Sequence, residues 1–277
     1  MTLQTALLQG AKLLEDAAIA VPRLTAEVLL AHAIGRERVY LYAHPEEELT
    51  ELGWIHYGRY LHQRLEGKPT QYITRRQEFY GREFIVGPDV LIPRPETEHL
   101  VEAAISKIHA ADMVLDVGTG SGAIAISLAL DTKARLFATD LSTAALCVAG
   151  ANAKRLNADV AFAACDLASC FAPASIDVLV SNPPYVPEHD MAGLQREVRD
   201  YEPHLALFGG PSGVEMYQRI IEQAGTIVRP SGWLLFELGY NAVQPVQDML
   251  GNGWAQVHVH ADLAGWPRVL EARRTGD

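Results

Sequence analysis

The run Asn182-Pro183-Pro184-Tyr185 carries the most specific chemistry in this 277-residue chain. Two prolines fix the backbone and remove two N–H donors, leaving the carbonyls free to accept. The Asn182 side-chain oxygen and the Pro183 carbonyl can together take both hydrogens of a planar NH2 group, with Tyr185 lying against its plane. That grip suits methyl transfer to a nitrogen whose lone pair is delocalised. Transfer from a sulfonium methyl builds positive charge on the nitrogen, and two aimed acceptors stabilise the charge as it grows. They also align the nitrogen with the carbon. No strong base is needed, because the nitrogen becomes acidic only after methylation. The NH2 group could belong to a carboxamide or to a nucleobase.

A second constellation lies upstream. Leu115-Asp116-Val117-Gly118-Thr119-Gly120-Ser121-Gly122 reads as a strand end, a loop and a helix start. Glycines there permit a tight turn and a close approach of backbone N–H groups to a ligand. Asp140 falls at the end of the next strand, where a carboxylate can accept both hydroxyl protons of a ribose. The pattern calls for an adenosine-bearing cofactor and leaves its identity open, since Gly118-x-Gly120-x-x-Ala123 also fits a dinucleotide fingerprint.

The elements that must hold these residues alternate. From Asp112, strands are predicted at 113–117, 135–139, 160–164, 176–181, 233–238, 257–260 and 269–272, with helices at 123–130, 143–156, 214–228 and 242–250. Such alternation means a mostly parallel seven-stranded sheet covered by helices on both faces. Ligands bind such sheets beyond the carboxyl ends of the strands, at the switch point. Both constellations sit at such ends. Residues 1–70 read as a small helical domain. Thr2 and Thr50 are placed to cap helices, Gly35 to end one, and Leu52, Ile55, Leu61 and Leu65 to face inward. Residues 71–95 form a connection rich in β-formers (Tyr72, Ile73, Phe79, Tyr80, Phe84, Ile85, Val86), predicted as a hairpin followed by a proline-stiffened approach to a helix near Glu96. The α/β domain then occupies 96–277.

Composition narrows the classes. Apolar residues make up 49% and charged residues 21%, an ordinary globular balance. No run approaches a membrane-spanning helix, and the N-terminus lacks the pattern of a secretory signal. A net charge of −11 weighs against a long nucleic-acid duplex as partner. Cys147, Cys165 and Cys170 are odd in number and form no C-x-x-C pair, which points to reduced thiols and a cytoplasmic setting. His258 and His260 share a strand face, but no third ligand is spaced to complete a metal site, so none is expected.

Taken together, the chain resembles the bacterial release-factor glutamine methyltransferases, the family called PrmC or HemK. The likeness runs nearly end to end: Pro22-Arg23-Leu24 with Ala26-Glu27-Val28-Leu29-Leu30, Glu78-Phe79-Tyr80-Gly81, Val90-Leu91-Ile92-Pro93-Arg94-Pro95-Glu96-Thr97-Glu98, Ala206-Leu207-Phe208-Gly209-Gly210, and Asp262-Leu263-Ala264-Gly265. The resemblance implies the class I methyltransferase fold, Rossmann-like, with S-adenosylmethionine as donor and S-adenosylhomocysteine as product. Class I peptide chain release factors would be the protein substrate, through the glutamine of their Gly-Gly-Gln loop. Apart from the resemblance, the absence of a heptad or an obvious interface in the sequence leads to the expectation of a monomer. Cofactor contacts would fall on Gly118, Thr119, Gly120, Ser121, Gly122, Asp140, Leu167 and Asn182, while Asn182, Pro183, Pro184 and Tyr185 would hold the glutamine. Phe79 and Arg94 would help wall the pocket. Departures from the family pattern are Arg75 in place of a glycine, Thr25 in place of a common aspartate and expected to cap its helix, Leu167 where some relatives carry an aromatic residue, and Trp266-Pro267 in the last hairpin.

Other readings compete. A ribosomal-protein glutamine methyltransferase would share Asn182-Pro183-Pro184-Tyr185. A DNA or RNA methyltransferase would hold an adenine NH2 the same way after flipping the base. A dehydrogenase would need a hydride-transfer residue that the sequence does not offer, and a non-catalytic adaptor would leave the two constellations without a task.

Overall fold

The computed structural model describes residues 1–276. Along the chain run helices α1 (Leu3–Asp16), α2 (Pro22–Ile34), α3 (Arg38–Ala43), α4 (Glu51–Leu65) and α5 (Thr70–Thr74), then a hairpin of β1 (Arg76–Phe79) and β2 (Arg82–Ile85). There follow α6 (Glu98–Ile105), β3 (Met113–Val117), α7 (Ala123–Asp131), β4 (Arg135–Asp140), α8 (Thr143–Leu156), β5 (Val160–Ala164), β6 (Ile176–Ser181), β7 (Val186–Pro187) and α9 (Arg196–Tyr201). The chain closes with β8 (Phe208–Gly210), α10 (Glu215–Ile227), β9 (Val228–Glu237), α11 (Val243–Leu250), β10 (Trp254–Ala261) and β11 (Pro267–Arg274).

These elements form two compact units, one of Met1–Arg76 with Gln195–Tyr201, the other of Gln77–Leu194 with Glu202–Asp277. In the first, Thr2 and Thr50 accept from the N–H groups of Thr5 and Gly53, capping α1 and α4, and Gly35 ends α2 in the left-handed region. Thr25 does not cap. Val21 holds that place without a side-chain bond, and Thr25 is buried in the first turns of α2. Glu27 is also buried, and accepts from Arg23, Arg38 and Tyr42. Burial opposes its ionisation, but those bonds outweigh it and hold the carboxyl down at about 2. The inward face of α4 differs from the expectation: Leu52 and Ile55 are exposed, while Gly53, Tyr57, Leu61 and Arg64 are buried. Gly10 explains the rotation. A Cβ there would overlap the Tyr57 hydroxyl, so the glycine opens the space that the Tyr57 ring fills.

Tyr72 and Ile73 are helical, not strand. Their N–H groups both bond to the Pro69 carbonyl, and both side chains are buried, so local packing overrides their β preference. Arg75 ends α5 at φ 62°, taking the left-handed conformation for which a glycine was anticipated.

The second unit is built on a sheet in the order β10-β11-β9-β6-β3-β4-β5, in which only β11 runs antiparallel to its neighbours. One buried cluster packs α10 and α11 against one face, including Tyr217, Ile221, Phe236 and Val246. Another packs α6, α7 and the β1–β2 hairpin against the other, including Phe79, Phe84, Leu100 and Ile126. The chain leaves β3 for β4 on one side and returns to β6 on the other. The crevice between β3 and β6 is therefore the switch point, and Val117 and Ser181 are register partners there. The helix expected near Glu96 opens as a single 3-10 turn, Pro95–Thr97, before α6. In the last hairpin, Asp262 organises the Trp266-Pro267 turn, accepting from the N–H groups of Ala264 and Trp266 and from Arg268.

Candidate active site

Beyond the carboxyl ends of β3, β4 and β6 lies a cavity of about 340 Å³. Gly118, Gly120, Asp140, Leu167, Asn182, Pro183 and Pro184 line it; Thr119, Ser121, Gly122 and Tyr185 do not. Three of them are tied into the structure around the loop. The Thr119 hydroxyl bonds to Asp116 at 2.6 Å, Ser121 gives its carbonyl to Asn152, and Gly122 precedes α7 in the left-handed region. Gly118 and Gly120 also have positive φ, and a Cβ on either would meet no protein atom within 4 Å. The loop thus leaves free the space that side chains would occupy.

Two acids hold the loop in place. Asp116 is fully buried, accepts from Thr119 and the Ala125 N–H, and keeps one oxygen without a hydrogen-bond partner among the described residues. Burial pushes its carboxyl up to about 7. Asp140 accepts from the Gly120 and Ser142 N–H groups at 2.9 and 2.8 Å, one on each oxygen. Each of those oxygens retains lone-pair capacity toward the cavity.

Leu167 has φ 54°, a rare conformation for a bulky residue. Its carbonyl accepts from the Cys165 thiol, and Cys165 and Cys170 bring their sulfurs to 2.9 Å although no C-x-x-C motif relates them. Phe79 and Arg94 are not part of the wall. Phe79 is buried against Phe84, and Arg94 pairs with Glu202 at 2.5 Å, which also accepts from the Ile92 N–H. The wall instead includes Pro88, Leu141, Leu205, Met216 and Ile220, apolar residues in no recognisable motif.

Around Asn182 the geometry is directional. Its Nδ2 donates to Thr97 Oγ1 at 3.1 Å, and neither its Oδ1 nor the Pro183 carbonyl accepts a bond from the described residues. Tyr185 is half-buried, its hydroxyl raised to about 12 by burial. The backbone after it is packed on glycine: a Cβ on Gly209 would stand 2.7 Å from the Pro184 oxygen, and one on Gly213 2.5 Å from the Tyr185 oxygen. Thr97 and Glu237, both buried, were not identified from sequence. The signal for Glu237 was an acid closing the apolar run Trp233-Leu234-Leu235-Phe236.

Comparison with known proteins agrees with this layout. The PrmC N-terminal domain model matches residues 5–74, and the methyltransferase small domain model matches residues 96–201. The release factor glutamine methyltransferase of Koribacter versatilis is 45% identical over 278 residues, covering 99% of each chain. This chain belongs to the release factor glutamine methyltransferase family. A further member, from Nitratidesulfovibrio vulgaris, is 39% identical over 282 residues, covering 99% of this chain and 95% of its own. A methyltransferase from Pyrococcus furiosus shares the fold, with a TM-score of 0.55 at 16% identity over 72% of this chain and 91% of that one. As a family member the chain is an enzyme with the class I S-adenosylmethionine-dependent methyltransferase fold. Among the described residues no helix is long and apolar enough to cross a membrane.

Proposed function

We propose that this enzyme methylates the side-chain amide nitrogen of the glutamine in the Gly-Gly-Gln motif of class I peptide chain release factors. The observation that carries the reading is the direction of Asn182. With its nitrogen bonded to Thr97, Asn182 keeps its oxygen free, and it lines the cavity together with Pro183, whose carbonyl is also free. A primary carboxamide supplies the two hydrogens this pair accepts.

The residues present fit S-adenosylmethionine. The open cradle over Gly118 and Gly120, the lone pairs of Asp140 and the apolar wall around Leu141 and Leu167 suit an amino-acid tail, a ribose and an adenine respectively. Bound there, the cofactor supplies an electrophilic sulfonium methyl group. Asn182 and Pro183 accept the hydrogens of the glutamine NH2, fix its plane and stabilise the positive charge that develops on nitrogen. The prolines hold both acceptors still, so no reorganisation is needed as charge grows. Tyr185 stays protonated at neutral pH and adds no competing charge. The helical unit of residues 1–76 is the natural docking module for the protein substrate, through exposed apolar residues such as Val39, Leu52 and Ile55.

The test is intact-mass analysis of a release factor incubated with enzyme and S-adenosylmethionine. A single methyl gain, mapped to the Gly-Gly-Gln glutamine and lost in Asn182→Ala, is the expected result. A substrate that stays unmodified, or carries its methyl elsewhere, contradicts the proposal.

A further inference from the structure

An asparagine amide has two ends of nearly equal shape and opposite hydrogen-bonding sense. The reaction proposed above needs the oxygen, not the nitrogen, to face the substrate. Some neighbour must make that choice. Asn182 Nδ2 donates to Thr97 Oγ1, and the Thr97 side chain lies close enough to the Glu237 carboxyl group to favour its ionised form. An ionised carboxylate only accepts, so once Glu237 is ionised it draws the single hydroxyl hydrogen of Thr97. Thr97 Oγ1 is then left as an acceptor, and only the nitrogen end of Asn182 can satisfy it.

We infer that Thr97 and Glu237 are positioning residues that fix the sense of this hydrogen-bond chain and so hold the Asn182 oxygen toward the substrate nitrogen. The inference deepens the methyl-transfer reading and rests on it. Sheet register brings the parts together: Ser181 on β6 pairs with Phe236 on β9, so the next residues, Asn182 and Glu237, leave neighbouring strands side by side. Thr97 lies at the start of α6, where it reaches both.

The setting of Glu237 argues against a purely structural role. It is 2% exposed, forms no ion pair among the described residues, and its Oε2 has no hydrogen-bond partner among them. A buried, half-satisfied carboxylate costs folding stability. What the ionised group supplies, and an amide cannot, is an acceptor with no donor. In Glu237→Gln the NH2 end can donate to Thr97, which can then donate to Asn182 and turn its nitrogen toward the cavity.

The experiment measures steady-state methylation of a Gly-Gly-Gln release factor by wild type, Glu237→Gln, Thr97→Val and Thr97→Ser, with calorimetric titration of S-adenosylhomocysteine. Glu237→Gln and Thr97→Val are expected to lower kcat by roughly ten- to hundredfold, with KM and product affinity changing by less than about twofold. Thr97→Ser, which keeps the hydroxyl, retains wild-type kcat. Wild-type kcat also rises with pH as Glu237 ionises, and Glu237→Gln lacks that limb. The groups facing Glu237 are Arg94 and Glu96 from the connecting segment, Arg268 on β11, Tyr185, and Tyr217 on α10. Glu237→Gln removes a buried charge and should melt no lower than wild type, so a loss of rate in it is not a loss of fold. Wild-type kcat in both Glu237→Gln and Thr97→Val overturns the inference alone. A matched loss of product affinity or of thermal stability replaces it with a structural role. A wild type that transfers no methyl removes the methyl-transfer reading and the inference with it.

Discussion

Gly239 faces the Tyr185 ring so closely that a Cβ built on it would stand 2.9 Å from the ring's Cδ2. The segment that follows the strand ending in Glu237 thus packs directly on the acceptor motif, at the ring of Tyr185. Gly239 does not line the cavity. Gly239→Ala should therefore displace Tyr185, lower kcat about tenfold and leave S-adenosylhomocysteine affinity near wild type. Parallel kinetics and calorimetry check this, and an equal loss of product affinity would refute it.

Tyr217 anchors the same segment. Its buried hydroxyl donates to the Glu237 carbonyl at 2.9 Å and accepts from the Gly239 N–H at 3.0 Å. Tyr217→Phe leaves both backbone groups without this partner in a dry environment, at a cost of about 1–3 kcal/mol. Denaturant unfolding should show that loss as a lower midpoint with an unchanged slope.

Asp140 has two tasks, holding the Gly120 and Ser142 N–H groups and presenting lone pairs to the cavity. Asp140→Ala removes both. S-adenosylhomocysteine affinity should fall by roughly ten- to a hundredfold, the equivalent of about 1–3 kcal/mol in lost hydrogen bonds. Calorimetric titration measures it; unchanged affinity would show that the ribose is held elsewhere.

The buried acids give stability a defined pH dependence. Glu237 and Asp116 are each raised to about 7 by burial. A folded-state value above the unfolded one means a contribution fully present below the unfolded pKa and lost as pH rises through about 7. For Glu237 the shift from 4.5 corresponds to on the order of 3 kcal/mol. Glu27, lowered to about 2, acts in the opposite sense: its contribution is present above 4.5 and lost as pH falls toward 2. Melting temperature should therefore decline from about pH 5 to pH 8, and Glu237→Gln should flatten that decline. A wild-type profile rising across this range would contradict the assignment.

Much of this was legible in the sequence because it is local. The glycine loop, Asp140 and Asn182-Pro183-Pro184-Tyr185 each follow an apolar strand directly, so strand periodicity alone placed them at one end of a parallel sheet. What the sequence hid depends on contacts between distant segments. Tyr72 and Ile73 have strand-forming side chains but lie in a helix, because Pro69 and Arg75 bound a single buried turn. Leucine spacing turned α4 toward Leu52 and Ile55, whereas the space left by Gly10 selects Tyr57. The pairing of Arg94 with Glu202 joins residues 108 positions apart and carries no local mark. Thr97 and Glu237 reach Asn182 only through sheet register and the start of α6.

The central claim is that two oxygens hold a primary amide with its nitrogen toward the departing methyl. A crystal structure with S-adenosylhomocysteine and a Gly-Gly-Gln peptide tests it most directly. The account predicts the glutamine nitrogen at about 3 Å from both Asn182 Oδ1 and the Pro183 carbonyl oxygen, on the side facing the cofactor sulfur. A glutamine held by other groups, or an Asn182 that presents Nδ2 to it, would contradict the account.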